Sequence, residues 1–179
     1  MKELYIIRHC QATGQQSAAP LTMLGQVQAQ HVAAQLCTLP LDYIVSSPYV
    51  RALQTIEPLA LQLGLPIHTD ERLIERVLCH SDEPDWRDML RRTYDDMELC
   101  YTGGESSRQA TERVSAVVEQ FKASDHRCAA LVSHGNLISL LLRMYDGRIG
   151  FTEWEQLTNP DVYYIRLDAE PPVIKRVPV

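Results

Sequence analysis

The sequence predicts an α/β fold: a three-layer α/β/α sandwich around a largely parallel central sheet. Two patterns predict it. Short uninterrupted apolar runs at residues 4–7, 43–45 and 129–132 have the character of strands buried on both faces. They alternate with longer segments of helical apolar spacing, the arrangement that covers both faces of a parallel sheet with helices.

In chain order, residues 4–7 form a first strand that stops at Arg8-His9. Thr22 is the N-cap of a helix reaching about Leu36, with Leu24, Val27, Val32 and Leu36 at loosely helical spacing. Residues 43–45 make a second strand, ended by Ser46-Ser47-Pro48. The next helix starts near Tyr49 and stops at Gly64, and Pro58 predicts a kink or a restart inside it. Ile67-His68 is a brief strand. Residues 78–102 are charged and acidic and read as one loose helix with loops, an excursion from the core suited to a lid or cap over a single domain of residues 1–179. Gly103-Gly104 marks a turn, and Ser106 with Gln109 forms a capping box for a helix striped by Ala110, Val114, Val117, Val118 and Phe121. Residues 129–132 are a buried strand stopping at Ser133-His134-Gly135, followed by an apolar helix from Leu137 to about Met144. Residues 162–167 and 173–177 are closing strands, parted by Pro171-Pro172.

Composition bounds the function. The 179 residues are 45% apolar and 22% charged, enough for one substantial core. A net charge of -6 repels nucleic acid and anionic membrane, so an anion site must be a local basic pocket. No apolar run is long enough for a membrane span, and the N-terminus lacks the pattern of a secretory signal. Five scattered cysteines, Cys10, Cys37, Cys79, Cys100 and Cys128, form no C-x-x-C pair. They fit reduced thiols in a cytoplasmic protein better than disulfides or a metal cage.

Ligands of such sheets bind beyond the C-terminal ends of strands. Three of those ends carry related residues: Arg8-His9, Ser46-Ser47 leading to Arg51, and Ser133-His134. Two arginines and two imidazoles converging on one sheet edge suit a tetrahedral dianion, because guanidinium forks match phosphate oxygens. Backbone N–H groups at the helix starts after Tyr49 and Asn136 are expected to add donors. Binding alone does not require an imidazole beside an arginine, but covalent catalysis does: a neutral ring nitrogen attacks phosphorus and divides one displacement into two. Fixed positive groups around the equatorial oxygens then supply most of the rate, with His134 among them. The leaving alkoxide needs a proton donor that afterwards activates water, and Glu75 is the candidate. A bound dianion disfavours the negative form of such a carboxyl, which suits it to act as an acid. Glu75 also has a plain reading as the partner of Arg72 or Arg76. Trp86 and Tyr94 are candidates for a substrate mouth as well as for ordinary packing. His31, His68, His80 and His126 read as surface or packing residues.

These residues resemble motifs of the histidine phosphatase, or phosphoglycerate mutase-like, superfamily. Arg8-His9-Cys10-Gln11-Ala12 resembles R-H-G-[EQ]-T, and residues 20–25 resemble P-L-T-x-x-G. Residues 46–55 are similar to S-S-P-x-x-R-A-x-Q-T; Leu73-Ile74-Glu75 is similar to L-x-E; Gly103-Gly104-Glu105-Ser106 and Ser133-His134-Gly135 repeat G-G-E-S and S-H-G. Asn159-Pro160 before the late strand also fits. The resemblance implies the phosphoglycerate mutase-like fold and a histidine acid phosphatase-type phosphoric monoester hydrolase. It implies His9 as the phosphorylated nucleophile, Arg8, Arg51 and His134 as phosphate ligands, Glu75 as acid and base, and no metal or organic cofactor. Gln15 lies where many members place a phosphate-contacting asparagine. The expected partner is a small phosphorylated substrate.

The chain departs from the pattern at three places. Cys10 stands where glycine or alanine is usual; if exposed beside Arg8, its thiol is expected to ionise and oxidise. Ala12 replaces a hydroxyl residue, and Val77-Leu78-Cys79 lacks the G-x-W-E-G of many phosphatases of this type. Two alternatives stay open. A phosphoglycerate mutase is suggested by His134-Gly135-Asn136 and Glu75-Arg76, whereas the short acidic 78–102 segment argues for a phosphatase. A non-catalytic phosphate or phosphoprotein binder is suggested by Cys10 and the weakened first motif.

Overall fold

The computed structural model describes residues 1–179. Its elements are β1 (Glu3–Arg8), α1 (Met23–Leu36), β2 (Tyr43–Ser46), α2 (Val50–Leu63), β3 (Ile67–Thr69), α3 (Trp86–Asp95), α4 (Ser107–Ala123), β4 (Cys128–Ser133), α5 (Gly135–Arg143), α6 (Phe151–Glu155), β5 (Asp161–Arg166) and β6 (Val173–Val177), with a 3-10 turn over Glu71–Leu73. The strands form one sheet in the order β3-β2-β4-β1-β5-β6. The first four are mutually parallel; β5 runs antiparallel to both β1 and β6.

Successive residues of a strand point to opposite faces, and here both faces are covered. Ile6 and Leu131 pack with Val114, Phe121 and Leu141 of α4 and α5. Their neighbours Ile7, Val132 and Ala130 pack on the other side with Val32, Ile56 and Leu59 of α1 and α2. That double burial is why the central strands read as continuous apolar runs rather than alternating ones. Each such fully buried Ile or Leu side chain contributes roughly 1.5–3 kcal/mol of apolar burial.

The caps follow from local chemistry. The Thr22 hydroxyl accepts from the Gly25 N–H at 2.9 Å, and Ser106 and Gln109 exchange both bonds of a capping box. Gly25 permits a close approach, since a Cβ there would lie 2.0 Å from the carbonyl oxygen of Gln11. Of the two readings of Pro58, the restart is corrected: helix α2 runs through the proline as one helix, and Thr55, Ile56, Leu59 and Ala60, on either side of it, are all buried. Their packing offsets the roughly 3 kcal/mol a proline costs in a helix interior. Helix α5 begins at Gly135 rather than Leu137. The five-residue α6 has no forerunner in the apolar pattern, being too short to display one. No helix is long and apolar enough to cross a membrane.

Candidate active site

The register of the sheet builds the site. Arg8 pairs with Ser133 across β1 and β4, so the residues that follow, His9 and His134, leave the sheet at the same level. Ser46 of β2 pairs with Val132, which starts α2 beside them. The chain after β1 is then pinned to α2: the Cys10 N–H donates to the Thr55 hydroxyl at 2.9 Å, and that hydroxyl donates to the Arg51 carbonyl at 2.7 Å. On the other side the Asn159 amide donates to the His9 carbonyl at 2.7 Å.

Arg51 joins the two histidines. Its Nε donates to Nε2 of His9 at 3.2 Å, and its Nη2 to Nδ1 of His134 at 3.1 Å. A guanidinium has no acceptor, so both ring nitrogens must be unprotonated. The ring protons therefore lie on the far sides: His9 Nδ1 donates to the Cys10 carbonyl at 2.7 Å, and His134 Nε2 to the Ser47 hydroxyl at 2.8 Å. Nη1 of Arg51 is held by the carbonyls of Gln15 and Gln16. The two imidazoles stand edge to face, 5.1 Å apart.

Electrostatics agree with neutral rings. Burial pushes His9 down to about 4, with Arg51 and Arg8 acting the same way and the bond to the Cys10 carbonyl opposing them. Burial also lowers His134, helped by His9 and the arginines. Arg8 donates through Nη1 to the Leu157 carbonyl at 2.8 Å, while its buried Nε has no partner within the protein. That Nε is a donor free to meet an anion.

Glu75 reaches the same place from the loop after the 3-10 turn. The Ser133 hydroxyl anchors that loop by donating to the Leu73 carbonyl at 2.8 Å. The Glu75 carboxylate accepts three backbone N–H groups, from Arg76 at 2.9 Å, Asn136 at 3.2 Å and Leu137 at 3.1 Å. The expectation that the α5 start would donate to a bound anion is therefore corrected, because Glu75 already occupies those donors. At the start of α2 the Val50 N–H is likewise taken, by the Ser17 carbonyl. Glu75 is no ion-pair partner of Arg72, which binds Asp70. Nor does it pair with the Arg76 guanidinium, which donates to the Glu105 carbonyl, Thr93 and Ser107.

A cleft of about 550 Å³ opens over these groups, lined by Gln15, Tyr49, Arg51, Glu75 and the start of the 78–102 segment. It adjoins a second lobe of about 550 Å³ that adds Arg8, Asn136 and Trp154. His9 keeps 7% of its surface exposed beneath it. Of the residues expected from the sequence, Arg51 touches both His9 and His134, Arg51 and Glu75 line the first lobe of the cleft, and Arg8 and Glu75 line the second. The exposed Gln15 side chain stands at the rim and touches the cluster through its carbonyl. Trp86 lines the cleft, whereas Tyr94 is buried behind Asn136. Ser47, Thr55, Asn159 and Trp154 were not foreseen. Of these Ser47, Thr55 and Asn159 lie within matched motifs, and nothing in their spacing says what they touch.

Cys10 is a correction. It is fully buried, and burial pushes its thiol up to about 11, so it is no ionised thiol beside Arg8. No group of three or more His, Cys, Asp or Glu side chains is placed to hold a metal ion.

Comparison with known proteins identifies the family. The chain is 27% identical over 188 residues to a Hydrogenobacter thermophilus protein provisionally assigned as phosphoserine phosphatase 2, covering 95% of this chain and 92% of that one. It is 29% identical over 174 residues to the probable phosphoglycerate mutase GpmB of Shigella dysenteriae, covering 87% and 79%. Among solved structures, the mycobacterial glucosyl-3-phosphoglycerate phosphatase with inorganic phosphate superposes with a TM-score of 0.78 at 25% identity, over 99% and 96% of the two chains. The family model for the histidine phosphatase superfamily (branch 1) matches residues 4–178, nearly the whole length, and the chain belongs to that superfamily.

Proposed function

We propose that the chain is a phosphoric monoester hydrolase that carries the phosphoryl group on Nε2 of His9 and takes small phosphorylated metabolites. The observation that carries this reading is the bond from Arg51 to Nε2 of His9. It marks Nε2 as unprotonated, so that when an entering phosphate takes over the guanidinium N–H, the ring lone pair is released to attack phosphorus. The ester P–O bond breaks as the N–P bond forms, and Glu75 gives its proton to the leaving alkoxide. Water then attacks phosphorus, the N–P bond breaks, and the water proton passes to the Glu75 carboxylate. Arg8 and Arg51 hold the equatorial oxygens; His134 joins them by carrying its proton on Nδ1 once the phosphate displaces the Arg51 contact, the Ser47 hydroxyl then donating to Nε2. Gln15 adds a rim contact, and residues 78–102 act as a lid.

Fixed cations supply the charge that a metal would otherwise bring, so we read the reaction as free of metal and organic cofactor. A ring that stays neutral down to about pH 4 supports acid-phosphatase character. Five free cysteines support a cytoplasmic setting.

Phosphoglycerate mutase activity is the second reading, favoured by the GpmB relative. A panel of phosphate monoesters, assayed for inorganic phosphate with chelator present, separates the readings when run beside conversion of 3-phosphoglycerate to 2-phosphoglycerate. The hydrolase reading expects chelator-resistant phosphate release that outpaces isomerisation. Faster isomerisation, loss of activity with chelator, or binding without any turnover contradicts it; the last outcome marks a non-catalytic binder.

A further inference from the structure

Beyond the phosphate end, the cleft changes character. Arg76 lines it but is committed elsewhere. Its Nε and Nη2 donate to the Glu105 carbonyl at 3.1 and 3.0 Å. Its Nη1 donates to the Thr93 and Ser107 hydroxyls at 2.8 and 3.0 Å. The other charged residues at this end are Asp82 and Glu83. A leaving group that enters the cleft therefore meets carboxylates and no free cation.

Asn136 gives an independent sign of what belongs there. It lines the cleft and is 5% exposed. Its amide orientation follows from a hydrogen-bond relay. The Ser139 hydroxyl donates to the Asn136 carbonyl at 2.7 Å, so the Tyr94 hydroxyl donates to Ser139 at 2.5 Å. Nδ2 of Asn136 then donates to the Tyr94 oxygen at 2.8 Å. With Nδ2 turned into the protein, Oδ1 is the end left over, and it is buried without any partner. An unpaired buried acceptor is destabilising unless a donor meets it. The backbone N–H of the same residue holds Glu75, so this acceptor lies next to the carboxyl assigned to the leaving group.

We infer that the cleft selects phosphate monoesters whose leaving group carries a hydrogen-bond donor, a hydroxyl or an ammonium, and no negative charge. Asn136 Oδ1 takes the donor, Asp82 and Glu83 turn away a carboxylate or second phosphate, and Trp86 and Trp154 give the carbon skeleton an apolar wall. This inference rests on the hydrolase reading and narrows it.

The test is kcat/KM on four esters of a two-carbon alcohol, 2-aminoethyl phosphate, 2-hydroxyethyl phosphate, ethyl phosphate and phosphoglycolate, with p-nitrophenyl phosphate as the measure of the chemistry itself. The amino and hydroxy esters are expected to exceed phosphoglycolate by about tenfold or more, because like charges brought together in a binding cleft repel. The Asn136→Leu variant should collapse the advantage of hydroxyethyl over ethyl phosphate. The Asp82→Asn, Glu83→Gln double variant should raise phosphoglycolate relative to the other three. Equal or faster turnover of phosphoglycolate, with p-nitrophenyl phosphate hydrolysed, overturns the selectivity and leaves the hydrolase standing. Ratios unmoved in both variants overturn the role of these residues. No turnover of any ester removes the hydrolase reading and this inference with it.

Discussion

Nδ1 of His9 lies 2.7 Å from the carbonyl oxygen of Cys10 and donates its proton to it. The backbone thus fixes the tautomer, and Nε2 faces Arg51 with a lone pair. Keeping this ring neutral has a cost in acid. The folded ring titrates at about 4 against 6.5 for an ordinary histidine. Between those values the unfolded chain holds more protons, so stability rises with pH across the window and is lost as pH falls from about 6.5 through about 4. The full loss from this ring alone is on the order of 3 kcal/mol. Urea unfolding at several pH values across that window should show the slope, and His9→Gln should reduce it, leaving the part that the buried His134 contributes. An unchanged slope in the variant contradicts the buried neutral ring.

Glu75→Gln separates acid catalysis from anchoring. The amide oxygen of glutamine can still accept from Arg76 and Leu137, which share Oε1, while the Asn136 N–H on Oε2 loses its acceptor; with two of three anchoring bonds kept, the fold should survive. The proton for the leaving group is gone. Turnover of alkyl phosphates should fall roughly 10²–10⁴-fold, the usual worth of a positioned acid. Turnover of p-nitrophenyl phosphate, whose phenolate leaves without protonation, should fall far less. Equal losses on both esters would falsify the acid role.

Cys10 should be inert. Its fully buried thiol is pushed up to about 11, leaving almost no thiolate at neutral pH. In the native protein an alkylating reagent should label the exposed Cys100 and spare Cys10; in denaturant both should react. Native labelling of Cys10 at the rate of Cys100 contradicts the buried setting.

What could be read from the sequence was what neighbours in the chain decide. Doubly buried strands leave an unbroken apolar run, as at Ile6 and Ile7. Caps such as Thr22 and Ser106 act within three residues. The convergence of Arg8, His9, Arg51 and His134 followed from parallel topology, because the residues after parallel strands share an edge. What could not be read depends on contacts across space. Pro58 sits inside a helix because its neighbours Ile56 and Leu59 pack on the sheet. Glu75 takes the α5 N–H groups because a loop 60 residues earlier is tied to Ser133. Trp154 reaches the cleft on a helix too short to show a period. Asn159 holds His9 through its backbone carbonyl, a contact that leaves no mark in composition or spacing.

Gly135 sets the position of Arg8. A Cβ added there would lie 3.0 Å from Cζ and Nη2 of the Arg8 guanidinium, which is held from behind by the Leu157 carbonyl. Gly135→Ala should displace the guanidinium by a few tenths of an ångström and cost about tenfold in kcat/KM, since small misplacements of positioning groups are expensive. Thermal unfolding should change little by comparison. Activity equal to the parent shows that Arg8 is not fixed by this contact.

The most direct measurement is rapid mixing with a radiolabelled phosphate monoester, an alkaline quench that preserves phosphohistidine, and peptide mapping. The label should appear transiently on the peptide containing His9, decay at the rate of phosphate release, and be absent in His9→Ala, which should also be inactive. Label confined to another residue, or full turnover by His9→Ala, contradicts the account.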